Sequence, residues 1–185
     1  MSAEDHERPL ERLLAARAQP ITGKDGKLYA VRPICPADAP SLIRGYEAMT
    51  EQGKWFRMLY AVPHLSEAQA LQFCSPDGRT ELCIVVEGHG ALENDILGGA
   101  RIMDVGGGRD AEFSVSLRPE ARGLGLARAA LERVIEVARD AGCRSVWGTI
   151  AARNHAMLGL AERIGFEIKR DPDDFSLMIA TLPLS

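Results

Sequence analysis

From Phe113 to Ala127 the chain reads Phe-Ser-Val-Ser-Leu-Arg-Pro-Glu-Ala-Arg-Gly-Leu-Gly-Leu-Ala, an alternating strand pattern running into a two-glycine turn ahead of a long helical repeat. Glycines let a backbone come close to a ligand, and the first turn of a helix leaves its N–H groups without internal acceptors. With the positive end of the helix dipole, such donors form an anion site suited to phosphate. The candidate residues are Gly123, Leu124, Gly125, Leu126 and Ala127, with Arg122 adding a cation beside them. A tight strand-to-helix turn without a ligand would give the same local pattern. The turn is not a P-loop, because no Gly-Lys-Ser/Thr follows, and it lacks the third glycine of a dinucleotide fingerprint. On the strand that feeds it, Glu112 shares a face with Ser114 and Ser116, opposite Phe113, Val115 and Leu117. Asn154 stands where a second helical repeat begins and is suited to cap it.

Other chemistries find less support. Cys35, Cys74, Cys83 and Cys143 form no CxxC pair, and His6, His64, His89 and His155 are scattered, so no metal site is expected and a reduced, cytoplasmic protein is. With 22 Lys+Arg against 26 Asp+Glu the net charge is −4, which argues against bulk nucleic-acid binding. No apolar run approaches the ~18 residues of a membrane span. The first twenty residues are too charged for a secretory signal.

The elements that must carry these residues follow from periodicity. A chain of 185 residues, 46% of them hydrophobic, predicts one compact domain. Residues 5–18 predict a charged helix with a narrow stripe of Leu10, Leu13, Leu14 and Ala18, broken off by Pro20 and the Gly23–Gly26 turn. Residues 1–26 therefore read as an N-terminal helical extension and 27–185 as the main domain. Strands are expected at 28–32, 81–87, 96–105, 111–117, 145–150, 166–169 and 175–182. Helices are expected at 37–49, from Ser66 to Phe73, at 123–141 and at 154–164, while 50–60 is ambiguous. Gly88-His89-Gly90 and Gly106-Gly107-Gly108 predict turns. Strands cluster first and then alternate with helices, the pattern of an α+β or α/β domain whose mixed, twisted sheet carries helices on both sides.

Two segments carry a family resemblance. Arg122-Gly-Leu-Gly-Leu-Ala127 is similar to the Q/R-x-x-G-x-G/A signature of GNAT acetyltransferases. Downstream, Asn154-His-Ala-Met157 with Leu160-Ala161-Glu-Arg-Ile-Gly165-Phe166 resembles their second element, N-x-x-A-x-x-L-Y-x-x-x-G-F. A narrower likeness, through Val31-Arg32-Pro-Ile-Cys-Pro-Ala-Asp38 and Ala111-Glu112-Phe113, is to the acetyltransferase domain of bacterial Pat-type protein lysine acetyltransferases.

The resemblance implies a GNAT fold with six or seven strands, and acetyl-CoA as co-substrate. Its pyrophosphate would rest on the amides of Gly123 to Ala127, and its pantetheine arm would pair with the backbone at Val115 and Leu117. Asn154 would hydrogen-bond the arm. The implied reaction is direct transfer of acetyl to an amine, a protein lysine first, with a lysine of an acyl-CoA synthetase one such partner. Small-molecule amines and a non-catalytic CoA-binding module are the alternatives. Amine attack needs a base, for which Glu112 is the candidate, ahead of Asp110 and Glu81; a solvated strand-end carboxylate is its other reading. The family usually has a tyrosine where Ala161 stands, which leaves the thiolate's proton donor unassigned. Trp55, Phe56, Met58, Leu59 and Tyr60 read as core packing or a homodimer contact rather than an acceptor groove, with Arg57 among them a candidate acceptor-side charge.

Overall fold

The computed structural model describes residues 9–15, 20–59, 62–88, 95–105 and 110–184. His6, Tyr60, His89, Gly90 and the expected turn at 106–108 lie outside them, as do the flanks of the 5–18 helix.

In chain order the elements are α1 (Pro9–Ala15), β1 (Ile21–Thr22), β2 (Leu28–Tyr29), β3 (Val31–Pro33), α2 (Ala39–Glu47), α3 (Glu51–Met58), α4 (Glu67–Phe73), β4 (Leu82–Glu87), β5 (Ile96–Met103) and β6 (Asp110–Leu117). There follow α5 (Leu126–Asp140), β7 (Ser145–Ala151), α6 (His155–Ile164), β8 (Glu167–Arg170) and β9 (Leu177–Pro183). Seven strands form one sheet in the order β3-β4-β5-β6-β7-β9-β8, and β1 pairs only with β2. Every pairing in the large sheet is antiparallel except β6 with β7.

Alternation along the strands loads both faces of the sheet. Leu82, Ile84 and Val86 of β4, Ile102 of β5 and Ala111 and Phe113 of β6 join the apolar stripe of α5 (Leu126, Ala130, Leu131, Val134, Val137, Ala138) in one core, to which α6 adds Ala161. Cys83, Val85 and Ile96, on the other face, pack with Ala39 and Tyr46 of α2 and Ala70 of α4. Leu10 and Leu14, one helical turn apart, bring α1 into the first core. The expected mixed sheet with helices on both faces is what forms.

Several boundaries differ from the sequence reading. The expected 28–32 strand is two strands, because the chain changes partner at Ala30: Tyr29 pairs with Ile21 and Val31 with Val86. The helix expected from Ala37 begins as a 3-10 turn at Pro36–Asp38 and becomes α-helical at Ala39. Within the ambiguous 50–60 segment, Glu51–Met58 is α3, capped by the Thr50 hydroxyl, which accepts from Gly53 N at 3.1 Å. The long helix begins at Leu126 rather than Gly123. Gly123 and Gly125 have φ of +76° and +82°, values an α-helix excludes.

Candidate active site

The ladder between β6 and β7 is short. Asp110, Ala111 and Glu112 pair with Ser145, Val146 and Trp147, after which β7 continues against β9 through Ala151. From Phe113 to Leu117 the β7-side edge of β6 is therefore without a strand partner among the described residues. Gly148 helps to set the point of parting: a Cβ there would lie 2.7 Å from the Phe113 ring and 2.9 Å from the Phe113 carbonyl oxygen. The open edge holds Val115 and Leu117, and Glu112 sits at its closed end.

At the other end β6 runs through the 3-10 turn Pro119–Ala121 and the two left-handed glycines into α5. Among the described residues, no backbone carbonyl accepts from the N–H groups of Gly123 to Arg128. The structure thus assembles the row of free amides the sequence pattern called for, with the exposed Arg122 next to it. An unexpected neighbour is Lys24, whose N–H donates to the Leu124 carbonyl at 2.9 Å. Its Cγ lies 3.8 Å from where a Gly125 Cβ would be. The β1–β2 ribbon brings it there, braced by Tyr29 Oη donating to Asp25 Oδ2 at 2.8 Å. In the sequence Lys24 was visible only as part of a turn; its approach to the loop is a tertiary contact.

Glu112 is half-buried on the face opposite the α5 core, and no hydrogen bond or ion pair holds its carboxylate among the described residues. Burial raises its pKa above the ordinary carboxyl value, and the Asp104 charge adds to the rise. Asn154 caps α6, its Oδ1 accepting from Met157 N at 3.2 Å, which leaves the amide NH₂ free to donate. Ala161 is fully buried on the core side of α6.

A cleft opens on the Glu112 face, between the sheet and the α2–α3 pair. Ser114 and Ser116 of β6, Arg101 of β5, Tyr46 of α2 and Arg57 of α3 line it. Arg101 is held by Glu81 and the Phe73 carbonyl. Trp55 of α3 stands edge-on to Phe56 and carries Arg153 over its ring at 5.7 Å, which ties α3 to the start of α6. At the cleft's edge Arg118, 7% exposed, donates to the Ser41 carbonyl at 2.8 Å and to Asp95 at 3.3 Å. It crosses Gly45 so closely that a Cβ there would lie 2.8 Å from Nε. Arg118 fixes the entry of the glycine loop to α2. That role was not legible in the sequence, since its partners are 77 and 23 residues away.

The acetyltransferase (GNAT) domain family matches the chain over residues 30–167. An acetyltransferase of Pseudomonas aeruginosa is 28% identical over 160 residues, 86% of each chain. Among solved structures, the GNAT domain of S. lividans PAT superposes with a TM-score of 0.79 at 24% identity, covering 89% of this chain and 96% of that one. The spermidine N-acetyltransferase of Vibrio cholerae, solved with CoA and spermine, superposes with a TM-score of 0.67 at 16% identity, over 84% and 95%.

Proposed function

We propose that this chain, which belongs to the acetyltransferase (GNAT) family and takes its acetyl group from acetyl-CoA, passes that group directly to a primary amine with Glu112 as the general base. The observation that carries the reading is the placement of Glu112 at the closed end of the open β6 edge, half-buried and unpartnered, with the free amides of Gly123 to Ala127 at the other end. The amides and Arg122 hold the pyrophosphate. The pantetheine arm lies along Val115 and Leu117 as a short strand would. The six strand residues from Glu112 to Leu117 span ~17 Å, five steps of ~3.4 Å, between the proposed base and the turn that leads to the amides.

The neutral amine attacks the thioester carbonyl carbon while Glu112 takes its proton directly or through one water. A strand amide near Val115–Leu117 stabilises the oxyanion. The carbon–sulfur bond then breaks and CoA leaves as a thiolate. Ala161 offers it no proton, so the thiolate takes one from solvent or another side chain, or leaves unprotonated. Four free cysteines fit a reduced, cytoplasmic setting.

The Pat-type resemblance supports a protein lysine as acceptor. A small free amine is the second reading, supported by the cleft between α2, α3 and the sheet. Thiol release from acetyl-CoA, measured with lysine peptides and a panel of small amines and checked by mass spectrometry of the product, tests the function. Absence of an acetylated product with every amine would overturn it.

Asn154→Ala is expected to weaken acetyl-CoA binding by ~1 kcal/mol through one lost hydrogen bond. The lost cap should lower stability by a similar amount, ~1 kcal/mol. Paired calorimetry and thermal melting separate the two: a lower Tm with unchanged affinity would reduce Asn154 to a cap.

A further inference from the structure

The arginines around the cleft are not alike. Arg101 is paired with Glu81, Arg118 with Asp95 and Ser41, Arg44 with Asp95, and Arg32 with Asp38 and Glu87. Arg57 lines the same cleft and has no hydrogen bond or ion pair among the described residues. It is held there by its helix. Lys54, one turn earlier, is buried, donates to the Pro63 carbonyl at 3.0 Å and lies 5.6 Å above the Tyr46 ring. Met58, one turn after Lys54, packs on the second core. Arg57 falls between them on the inward side of α3. Burial works against its charge, and so does the neighbouring Arg101.

An arginine cannot shed its proton to escape such a place. A guanidinium withdrawn from water without an anion is unfavourable, and a carboxylate meets its fork through two parallel hydrogen bonds. Glu112 stands on the same face of the sheet as Ser114, ~7 Å along the strand, and Ser114 lines the cleft with Arg57. Glu112, a carboxylate that can receive an amine, thus stands next to the cleft, two residues along the strand from its lining, and the α3 side of the cleft carries an unmatched cation.

We infer that Arg57 binds a carboxylate of the acceptor, so that the acceptor is a small molecule carrying both a primary amine and a carboxylate, of the amino-acid class. This rests on the second reading of the acceptor given above. A polyamine, cationic throughout, meets three arginines in this cleft, of which Arg101 and Arg118 are paired and, among the described residues, Arg57 is not.

The test uses matched pairs: α-amino acids, β-alanine and 4-aminobutyrate, each beside its carboxamide, with spermidine and a lysine peptide as further arms. Thiol release gives kcat/KM for the wild type, Arg57→Gln and Arg57→Lys. The best carboxylated amine is expected to exceed its amide ~10–100-fold, as for a hydrogen bond to a charged group. Arg57→Gln should bring that ratio toward one through KM, and Arg57→Lys should keep part of it. The inference is overturned if acid and amide react equally in the wild type, if Arg57→Gln keeps the ratio, or if spermidine or the peptide is the best substrate; amine acetylation survives each of these results. If no acceptor reacts, the transfer reading falls. Calorimetry of the same amino acids against the CoA complex then decides the inference: binding lost in Arg57→Gln upholds it, and equal or absent binding overturns it.

Discussion

Glu112→Gln is expected to lower turnover ~10²–10⁴-fold at neutral pH, the usual cost of removing a general base, while acetyl-CoA affinity is retained. The amide keeps the shape and removes the basicity. An alkyl amine with a pKa near ~10 is almost entirely protonated at neutral pH. The wild-type rate should rise with pH as Glu112 ionises, along a limb set above the ordinary carboxyl range because burial and Asp104 raise that pKa. The glutamine variant should lose this limb and recover rate only as the acceptor amine itself becomes neutral. Stability moves the other way. A carboxyl whose pKa is raised on folding costs stability once the pH exceeds its unfolded value, and the full cost is present above the folded value. Glu112→Gln removes that cost, so at neutral pH the variant should melt no lower than the wild type. A glutamine variant with near-wild-type turnover and an unchanged pH profile would transfer the role to Asp110, Glu81 or water.

How far this site can be read from residues depends on how local each part is. The glycine loop was legible because two glycines ahead of a strong helical repeat constrain the backbone by themselves. The structure adds that both are left-handed, at φ +76° and +82°, so they belong to the loop and the helix starts at Leu126. Glu112 was legible because strand alternation sets its face without knowledge of the fold. The opening of β6 away from β7 beyond Glu112 was not, since it depends on β7 pairing with β9. Asn154 could be placed as a cap from its position alone.

Arg57, Arg118 and Lys24 show the other case. Periodicity could not decide whether 50–60 was a helix, and without that decision the inward side of α3 has no meaning. Arg118 becomes informative only when Ser41 and Asp95 are brought to it from 77 and 23 residues away. Lys24 reaches the glycine loop because Ile21 pairs with Tyr29 and the Lys24 N–H finds the Leu124 carbonyl. The turn at 23–26 that marked a boundary in the sequence is, in the fold, a contact with the candidate site.

The loop itself gives the other large effect. Gly125→Glu is expected to weaken acetyl-CoA binding ~100-fold or more, since it sets a carboxylate where the diphosphate must approach and forfeits charge-assisted hydrogen bonds. Sterics within the protein are not the cause, because the nearest atom to a Cβ at Gly125 is Lys24 Cγ at 3.8 Å. The backbone does contribute: at φ +82° a side chain costs ~1–2 kcal/mol, which asparagine tolerates better than other residues. Gly125→Gln, with the same reach and the same backbone cost as glutamate but no charge, therefore serves as the control. If the amides of Gly123 to Ala127 cradle the diphosphate, the glutamine variant should lose some affinity and the glutamate variant far more, with similar melting temperatures. Raising the salt concentration should narrow the gap between them, since the repulsion is screened at an exposed loop. Equal acetyl-CoA affinities for the wild type and a folded Gly125→Glu protein would place the diphosphate elsewhere, and would leave the row of free amides as no more than the turn that starts α5.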